Sequence, residues 1–190
     1  MKNDKKKDSG QVEFEFAKDF TADVAEDTSS CVPLPIEVGF ELFHVDAHAP
    51  SKAHDGDAGY DITATWFEKK DFTVIAHTGL KIKLPEGYEA QVRSRSGLAS
   101  KGVIVCNSPG TIDSGYTGEV MVILGSVTGQ APYVGGVGTK ECQCGNTLLK
   151  TGDRVAQLVI APILNTQFKE VEKVDDNDGR GSGGLGSTGN

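Results

Sequence analysis

Arg93-Ser94-Arg95-Ser96-Gly97-Leu98-Ala99 gathers two guanidiniums, two hydroxyls and a glycine into seven residues. Placed after a strand, with the glycine permitting a turn, it would present a hydroxyl, a free N–H and a guanidinium together. That donor set suits an oxyanion, although a turn with surface arginines accounts for the same residues. The C-terminal run Arg180-Gly181-Ser182-Gly183-Gly184-Leu185-Gly186-Ser187-Thr188-Gly189 offers a second anion-binding pattern. Successive glycines let backbone N–H groups point into one concavity, hydroxyls add donors, and Arg180 adds a bidentate cation. The same run also reads as a plain flexible tail, and it lacks the Lys-Ser or Lys-Thr of a Walker loop.

Asn107-Ser108-Pro109-Gly110-Thr111-Ile112-Asp113-Ser114-Gly115-Tyr116-Thr117-Gly118-Glu119 lies between two apolar runs and reads as a hairpin with Asp113 and Tyr116 near its base. Exposed hairpin backbone can pair with a base edge as another strand would. Asp113 could serve as a general base toward a water, or could cap its own turn. Gly152-Asp153-Arg154-Val155-Ala156-Gln157-Leu158 is a turn entering a buried strand that carries one polar glutamine.

The elements that must position these groups read as strands. Val38, Phe40, Leu42 and Val45 alternate with polar or small residues, and Leu80-Lys81-Ile82-Lys83-Leu84 alternates cleanly before the Pro85-Glu86-Gly87 turn. Tyr88–Val92, Val103–Val105, Val120–Leu124 and Arg154–Leu164 add β-rich runs separated by Gly, Pro, Ser and Asp. No long amphipathic helical period is present, so the chain reads as all-β, a sandwich or barrel. Three regions stand apart: an N-terminal extension over 1–35, partly disordered; a glycine-rich inserted loop or irregular hairpin at about 125–150; and a tail at 175–190 that cannot fold by itself. Residues 36–174 would form the β domain.

With 190 residues, one domain with extensions is the expectation, large enough to bury a core without disulfides or a structural metal. Nineteen Lys and Arg against 27 Asp and Glu give a net charge of −8, which argues against nucleic acid as partner and requires any phosphate to be held locally. Cys142-x-Cys144 has no second close pair and no nearby histidine to complete a zinc site, so Cys31, Cys106, Cys142 and Cys144 read as ordinary thiols. No apolar run reaches the roughly 20 residues of a membrane span, and no secretory signal is visible. A soluble cytoplasmic protein is expected, or a nuclear one in a eukaryotic or viral setting.

Taken in order, Ala58-Gly59-Tyr60-Asp61-Ile62, Arg95-Ser96-Gly97, Gly110–Glu119, Gly152–Leu158 and the Arg180–Gly189 tail resemble the five motifs of the trimeric dUTP pyrophosphatases, or dUTPases. The resemblance spans about residues 36–190 and implies a jelly-roll-like β-sandwich or distorted barrel with a flexible glycine-rich C-terminal lid. It implies a homotrimer whose subunits share active sites, with each tail closing over a neighbour's site. The implied reaction is hydrolysis of dUTP to dUMP and pyrophosphate, with Asp113 activating a water that attacks the α-phosphorus. Mg²⁺ would be held by the substrate phosphates and water rather than by protein side chains.

The same resemblance implies that Arg95, Ser96 and Gly97 contact phosphate oxygens, that Gln157 assists, and that Arg180, Ser182 and Ser187 enclose the γ-phosphate. Asn107, Thr111, Ile112 and Met121 would line the uracil site, Tyr116 would lie beneath the deoxyribose, and Leu185 and Gly186 would cover the base. Asp61 would order its polar neighbours and metal-bound waters. Leu185 stands where the family usually has a stacking aromatic, and the 125–150 segment exceeds the usual connection. Two other readings share the fold: a nucleotide-sensing protein with a partner docked at 125–150, and a dCTP deaminase. Against the second, Ile123 occupies the position of the deaminase's catalytic glutamate, and isoleucine cannot move a proton.

Overall fold

The computed structural model describes residues 35–127, 133–134 and 139–173. A boundary at Pro35 sets off the compact unit Ile36–Asn190, to which the elements below belong. They are β1 (Gly39–Leu42), β2 (Gly59–Thr63), β3 (Trp66–Lys70), β4 (Thr73–His77), β5 (Leu80–Lys83) and β6 (Tyr88–Arg93). A short helix α1 (Ser96–Ala99) precedes β7 (Val103–Val105), β8 (Gly110–Ile112), β9 (Met121–Ser126) and β10 (Tyr133–Val134). Then come β11 (Glu141–Cys144), β12 (Thr147–Lys150) and β13 (Arg154–Pro162). Among the described residues α1 is the only helix, in keeping with the all-β expectation.

Two open four-stranded antiparallel sheets carry the fold, in the orders β2-β13-β6-β8 and β3-β4-β9-β7. Their inward side chains meet in one apolar core that includes Ile62, Leu158, Val92 and Ile112 from the first sheet and Phe67, Val74, Val122 and Leu124 from the second. This is the sandwich arrangement in which alternate residues face inward. β1 pairs with β5 through Phe40↔Ile82 and its neighbours. On β5 the alternation decides burial: Leu80 and Ile82 are buried while Lys83 is exposed. On β1 all four residues are exposed, so the period-2 pattern there does not mark a core strand.

In the stretch read as an inserted loop or irregular hairpin, β10, β11 and β12 form a regular three-stranded antiparallel sheet. Cys142, Cys144 and Leu149 from it are buried in the core. A bridge from Thr139 to Phe67 on β3, with Phe67 N–H donating to the Thr139 carbonyl at 2.9 Å, ties this sheet to the sandwich. On β11 the burial alternates, with Cys142 and Cys144 turned inward and Glu141 exposed.

Gly79 is required where it stands. Gly79, between β4 and β5, has φ of 64°, and a Cβ there would lie 2.5 Å from Cβ of His44. No other residue type fits that turn without moving the His44 loop.

Candidate functional site

The Asn107–Glu119 stretch connects the antiparallel pair β7 and β9 and wraps a cavity of about 310 Å³. Asn107, Thr111, Ile112, Asp113, Tyr116 and Met121, all singled out from the sequence, line it. Ile75, Val92, Val120 and Ile123 add apolar walls, and Glu119 contributes the second carboxylate. The size is near the lower bound for small-molecule sites, about 300–1,000 Å³, and the mixture of apolar wall with few polar groups is typical of them.

Glycines set the shape of the cavity. A Cβ on Gly110 would come within 2.9 Å of Asn107 Nδ2, so the Asn107 amide rests on bare backbone. A Cβ on Gly118 would collide with the Tyr116 ring and hydroxyl. Tyr116 therefore folds back over Gly118, and its hydroxyl donates to the Glu119 carbonyl at 2.9 Å. Asp113 follows the last residue of β8 with its side chain exposed, and its carbonyl accepts the Tyr116 N–H at 3.0 Å.

A second cluster lies on the outer face of the β2-β13-β6-β8 sheet. Asp61, only 8% exposed, accepts from Arg95 Nε at 2.7 Å and from Arg154 Nη1 at 2.9 Å. Arg95 also donates through Nη1 to the Arg154 carbonyl at 3.1 Å. Gln157 pairs with Asp61 across β2 and with Arg93 across β6, which puts all three on one face. The Gln157 side chain rests on Gly59, where an added Cβ would meet its Oε1 at 3.3 Å. Ser96 and Gly97 open α1 beside Arg95, both exposed, and buried Leu98 pins the turn from below.

Arg154 was not a sequence candidate, and strict alternation explains why. Ala156 and Leu158 face the core, so a regular strand would aim Arg154 inward too. A register shift between Arg154 and Ala156 places Val155 as an extra residue. Such a bulge flips the preceding side chains to the other face, and here it delivers Arg154 to Asp61. Two cations and one anion leave this cluster locally positive in a chain of net charge −8. It can hold an oxyanion where the molecule as a whole repels one.

Glu119 and His77 were also missed. His77, at the end of β4, is 9% exposed and stacks on Trp66, with ring centroids 3.6 Å apart. Its Nδ1 lies 2.8 Å from Glu119 Oε2, while Glu119 Oε1 accepts the Thr78 and Gly79 N–H groups at 2.9 and 2.8 Å. In the tautomer with the proton on Nδ1, His77 donates to Glu119 alongside the two backbone N–H groups. Among the described residues His77 Nε2 has no hydrogen-bond partner, and Glu68 Oε2 stands 3.5 Å away. Glu119 and His77 are 42 residues apart, and no local pattern announces their meeting.

The structure thus brings the hairpin residues together around one cavity, and joins Asp61 to Arg95. Arg180, Ser182, Leu185, Gly186 and Ser187 lie outside the described residues. Among the described residues no group of three His, Cys, Asp or Glu side chains could hold a metal ion, and no helix is long and apolar enough to cross a membrane. What the arrangement can do chemically is bind a flat polar ring against hairpin backbone, place a carboxylate at the cavity edge, and offer arginines to an anion.

The family model described as dUTPase matches residues 45–144 and 133–189. Deoxyuridine 5'-triphosphate nucleotidohydrolase of Clostridium tetani (strain Massachusetts / E88) is 43% identical over 154 residues, covering 78% of this chain and 94% of that protein. The protein of the same name from Anaplasma marginale (strain St. Maries) is 42% identical over 149 residues, covering 74% and 88%. Among solved structures, a mutant dUTPase of Staphylococcus bacteriophage 80alpha with dUpNHpp is 26% identical with a TM-score of 0.63, covering 80% of this chain and 98% of that one. A mutant dUTPase from phage phi11 of S. aureus, described with a structural Mg(II) ion, is 26% identical with a TM-score of 0.57, covering 73% and 99%.

Proposed function

The chain belongs to the dUTPase family, and from that premise we propose that it hydrolyses dUTP to dUMP and pyrophosphate at the cavity rimmed by Asp113. The observation that carries this reading is the convergence of Asn107, Asp113, Tyr116 and Met121 on one cavity of nucleoside size. Asp113 takes a proton from a water as it attacks the α-phosphorus. Hairpin backbone from Thr111 to Met121, with Asn107, pairs with the uracil edge and leaves no space for a thymine methyl. Tyr116 lies beneath the deoxyribose and crowds a 2′-hydroxyl. Crowding of this kind can discriminate more strongly than the ~1–3 kcal/mol of a missing methylene.

The triphosphate runs toward Arg95, Ser96 and Gly97, with Gln157 assisting. Asp61 supports this by fixing the Arg95 guanidinium, at 2.7 Å, before substrate arrives. Arg180, Ser182 and Ser187 of a second subunit's tail enclose the γ-phosphate, while Leu185 and Gly186 cover the base. Closure of that kind needs a homotrimer with shared sites. Mg²⁺, when bound, neutralises phosphate charge and fixes the chain for in-line attack. Its ligands would be the substrate's phosphate oxygens and water. An enzyme of this kind works on the nucleotide pool of the cytoplasm, or of the nucleus.

Deamination of dCTP is the reading to test against. It needs a carboxylate free to shuttle protons at the base. Ile123 lines the cavity where that group would stand, and the oxygens of Glu119 are committed to His77, Thr78 and Gly79. The deciding experiment incubates purified protein with Mg²⁺ and, separately, dUTP, dCTP, dATP, dGTP, dTTP and UTP, then measures pyrophosphate and ammonia. Pyrophosphate from dUTP alone, without ammonia, is expected. Ammonia from dCTP, or equal turnover of every nucleotide, would refute the proposal.

A further inference from the structure

We propose that Glu119 is a specificity-determining positioning residue: by anchoring its own carbonyl, it fixes the Tyr116 ring at the height that separates deoxyribose from ribose. This deepens the dUTPase reading and rests on it. The chain of contacts is short and continuous. The Glu119 carboxylate is gripped by three donors from the end of β4 and the turn that follows, namely His77 Nδ1 at 2.8 Å, Thr78 N–H at 2.9 Å and Gly79 N–H at 2.8 Å. That turn is itself rigid, since Gly79 is wedged against His44 and Ala47 in a left-handed conformation and the His77 ring is stacked on Trp66.

From the other side, the Glu119 carbonyl receives the Tyr116 hydroxyl at 2.9 Å, and the Tyr116 ring lies on Gly118. Tyr116 is 41% exposed, so surrounding packing alone does not hold it. Its orientation depends on one hydrogen bond and on the backbone that bond reaches. That backbone is pinned by the Glu119 side chain, while Val120 N–H, donating to the Leu80 carbonyl at 2.8 Å, secures the next residue. Glu119 touches no reacting atom in this scheme. It acts through Tyr116, so its loss should raise tolerance for a 2′-hydroxyl more than it lowers turnover of the correct substrate.

The experiment measures kcat and KM for dUTP and for UTP, and the thermal midpoint, in wild type, Glu119→Ala, Glu119→Gln, Tyr116→Phe and the Glu119→Ala/Tyr116→Phe double variant. Glu119→Ala should lower the dUTP-to-UTP ratio of kcat/KM about tenfold, the scale of one lost hydrogen bond. Glu119→Gln keeps an oxygen for Thr78 and Gly79 and turns its amide to His77 Nδ1, which accepts in the other tautomer, so it should hold the ratio within about threefold. Tyr116→Phe should lose as much as Glu119→Ala, and the double variant no more than either.

An equal fall of kcat/KM for both nucleotides in Glu119→Ala would overturn the proposal, as would a fully additive double variant. Should Glu119→Ala not fold, Glu119→Asp, whose carboxylate is drawn back by one methylene, replaces it under the same criteria. A wild-type protein that leaves dUTP intact would overturn the hydrolase reading as well. An active wild type whose selectivity ignores position 119 would overturn the role of Glu119 alone.

Discussion

Among the described residues Asp61 is the one carboxylate that Arg95 and Arg154 share, and alanine removes it. The carboxylate is nearly buried, its side chain 10% exposed, and its bond to Arg95 Nε is 2.7 Å long. Arg95 is itself 21% exposed, so this charge-assisted bond keeps most of its strength, about 1.5–3 kcal/mol. Arg154 is 55% exposed, and solvent screening reduces its 2.9 Å contact to at most about 1 kcal/mol. Together the loss of order amounts to roughly 2–4 kcal/mol, or about 30- to 1,000-fold in rate if all of it is felt at the transition state.

A second effect has the opposite sign. Removing one negative charge strengthens the attraction of the two guanidiniums for a triphosphate, so ground-state binding should hold or tighten. The expected signature in Asp61→Ala is therefore a kcat lowered by about 30-fold or more with a KM for dUTP that is unchanged or reduced. Steady-state release of pyrophosphate measures both constants, and a thermal melt confirms that the variant is folded. A folded Asp61→Ala enzyme with wild-type kcat would refute the assignment of Asp61 as the support of Arg95. A KM that rises tenfold at constant kcat would show that Asp61 serves binding alone.

Asp113→Asn should lower turnover by about 10²–10⁴-fold while dUTP still binds, checked by single-turnover kinetics beside equilibrium titration, and near-normal turnover would exclude Asp113 as the base. Truncation after Asp178 should abolish hydrolysis with the assembly's melting temperature unmoved; a truncated enzyme of normal activity would remove the tail from the mechanism. Leu185→Phe should tighten dUTP binding by up to ~1 kcal/mol through stacking, and calorimetry showing no gain would mean the residue does not face the base. Burial, with the nearby thiols adding to it, pushes Cys142 up to about 12 and Cys144 up to about 11 from an ordinary 9.0. The folded state thus prefers the neutral thiols, a contribution complete below pH 9 and lost as pH rises toward 11–12. Urea unfolding across that range should show the decline, and Cys142→Val should flatten it; an unflattened slope would place its origin elsewhere.

Much of the sandwich is readable from residue order because its central strands are amphipathic. The alternating run Leu80–Leu84 forms a strand over Leu80–Lys83, and the β-branched run Val103–Val105 forms one with the same bounds. β3 and β4 were harder: Trp66-Phe67-Glu68-Lys69-Lys70 puts three charged residues in one strand of five, which masks the buried Phe67. The cavity residues were legible through the hairpin chemistry of Asn107–Glu119, where Gly, Pro and Asp mark the turns around Asp113 and Tyr116. The support behind them was not. His77 meets Glu119 only through strand pairing of β4 with β9, and Arg154 reaches Asp61 only because of a backbone irregularity that no residue type at Val155 foretells.

The sheet made by β10, β11 and β12 has a practical consequence for anyone asking why the chain carries it. Because Cys142, Cys144 and Leu149 help seal the interior, cutting the segment out would open a wound in the sandwich, and any change in behaviour would report injury rather than purpose. Glu141, Leu148 and Lys150 present outward from the same ribbon. Recolouring that outer surface, residue by residue, leaves the keystone in place and isolates whatever the segment does beyond holding the molecule shut.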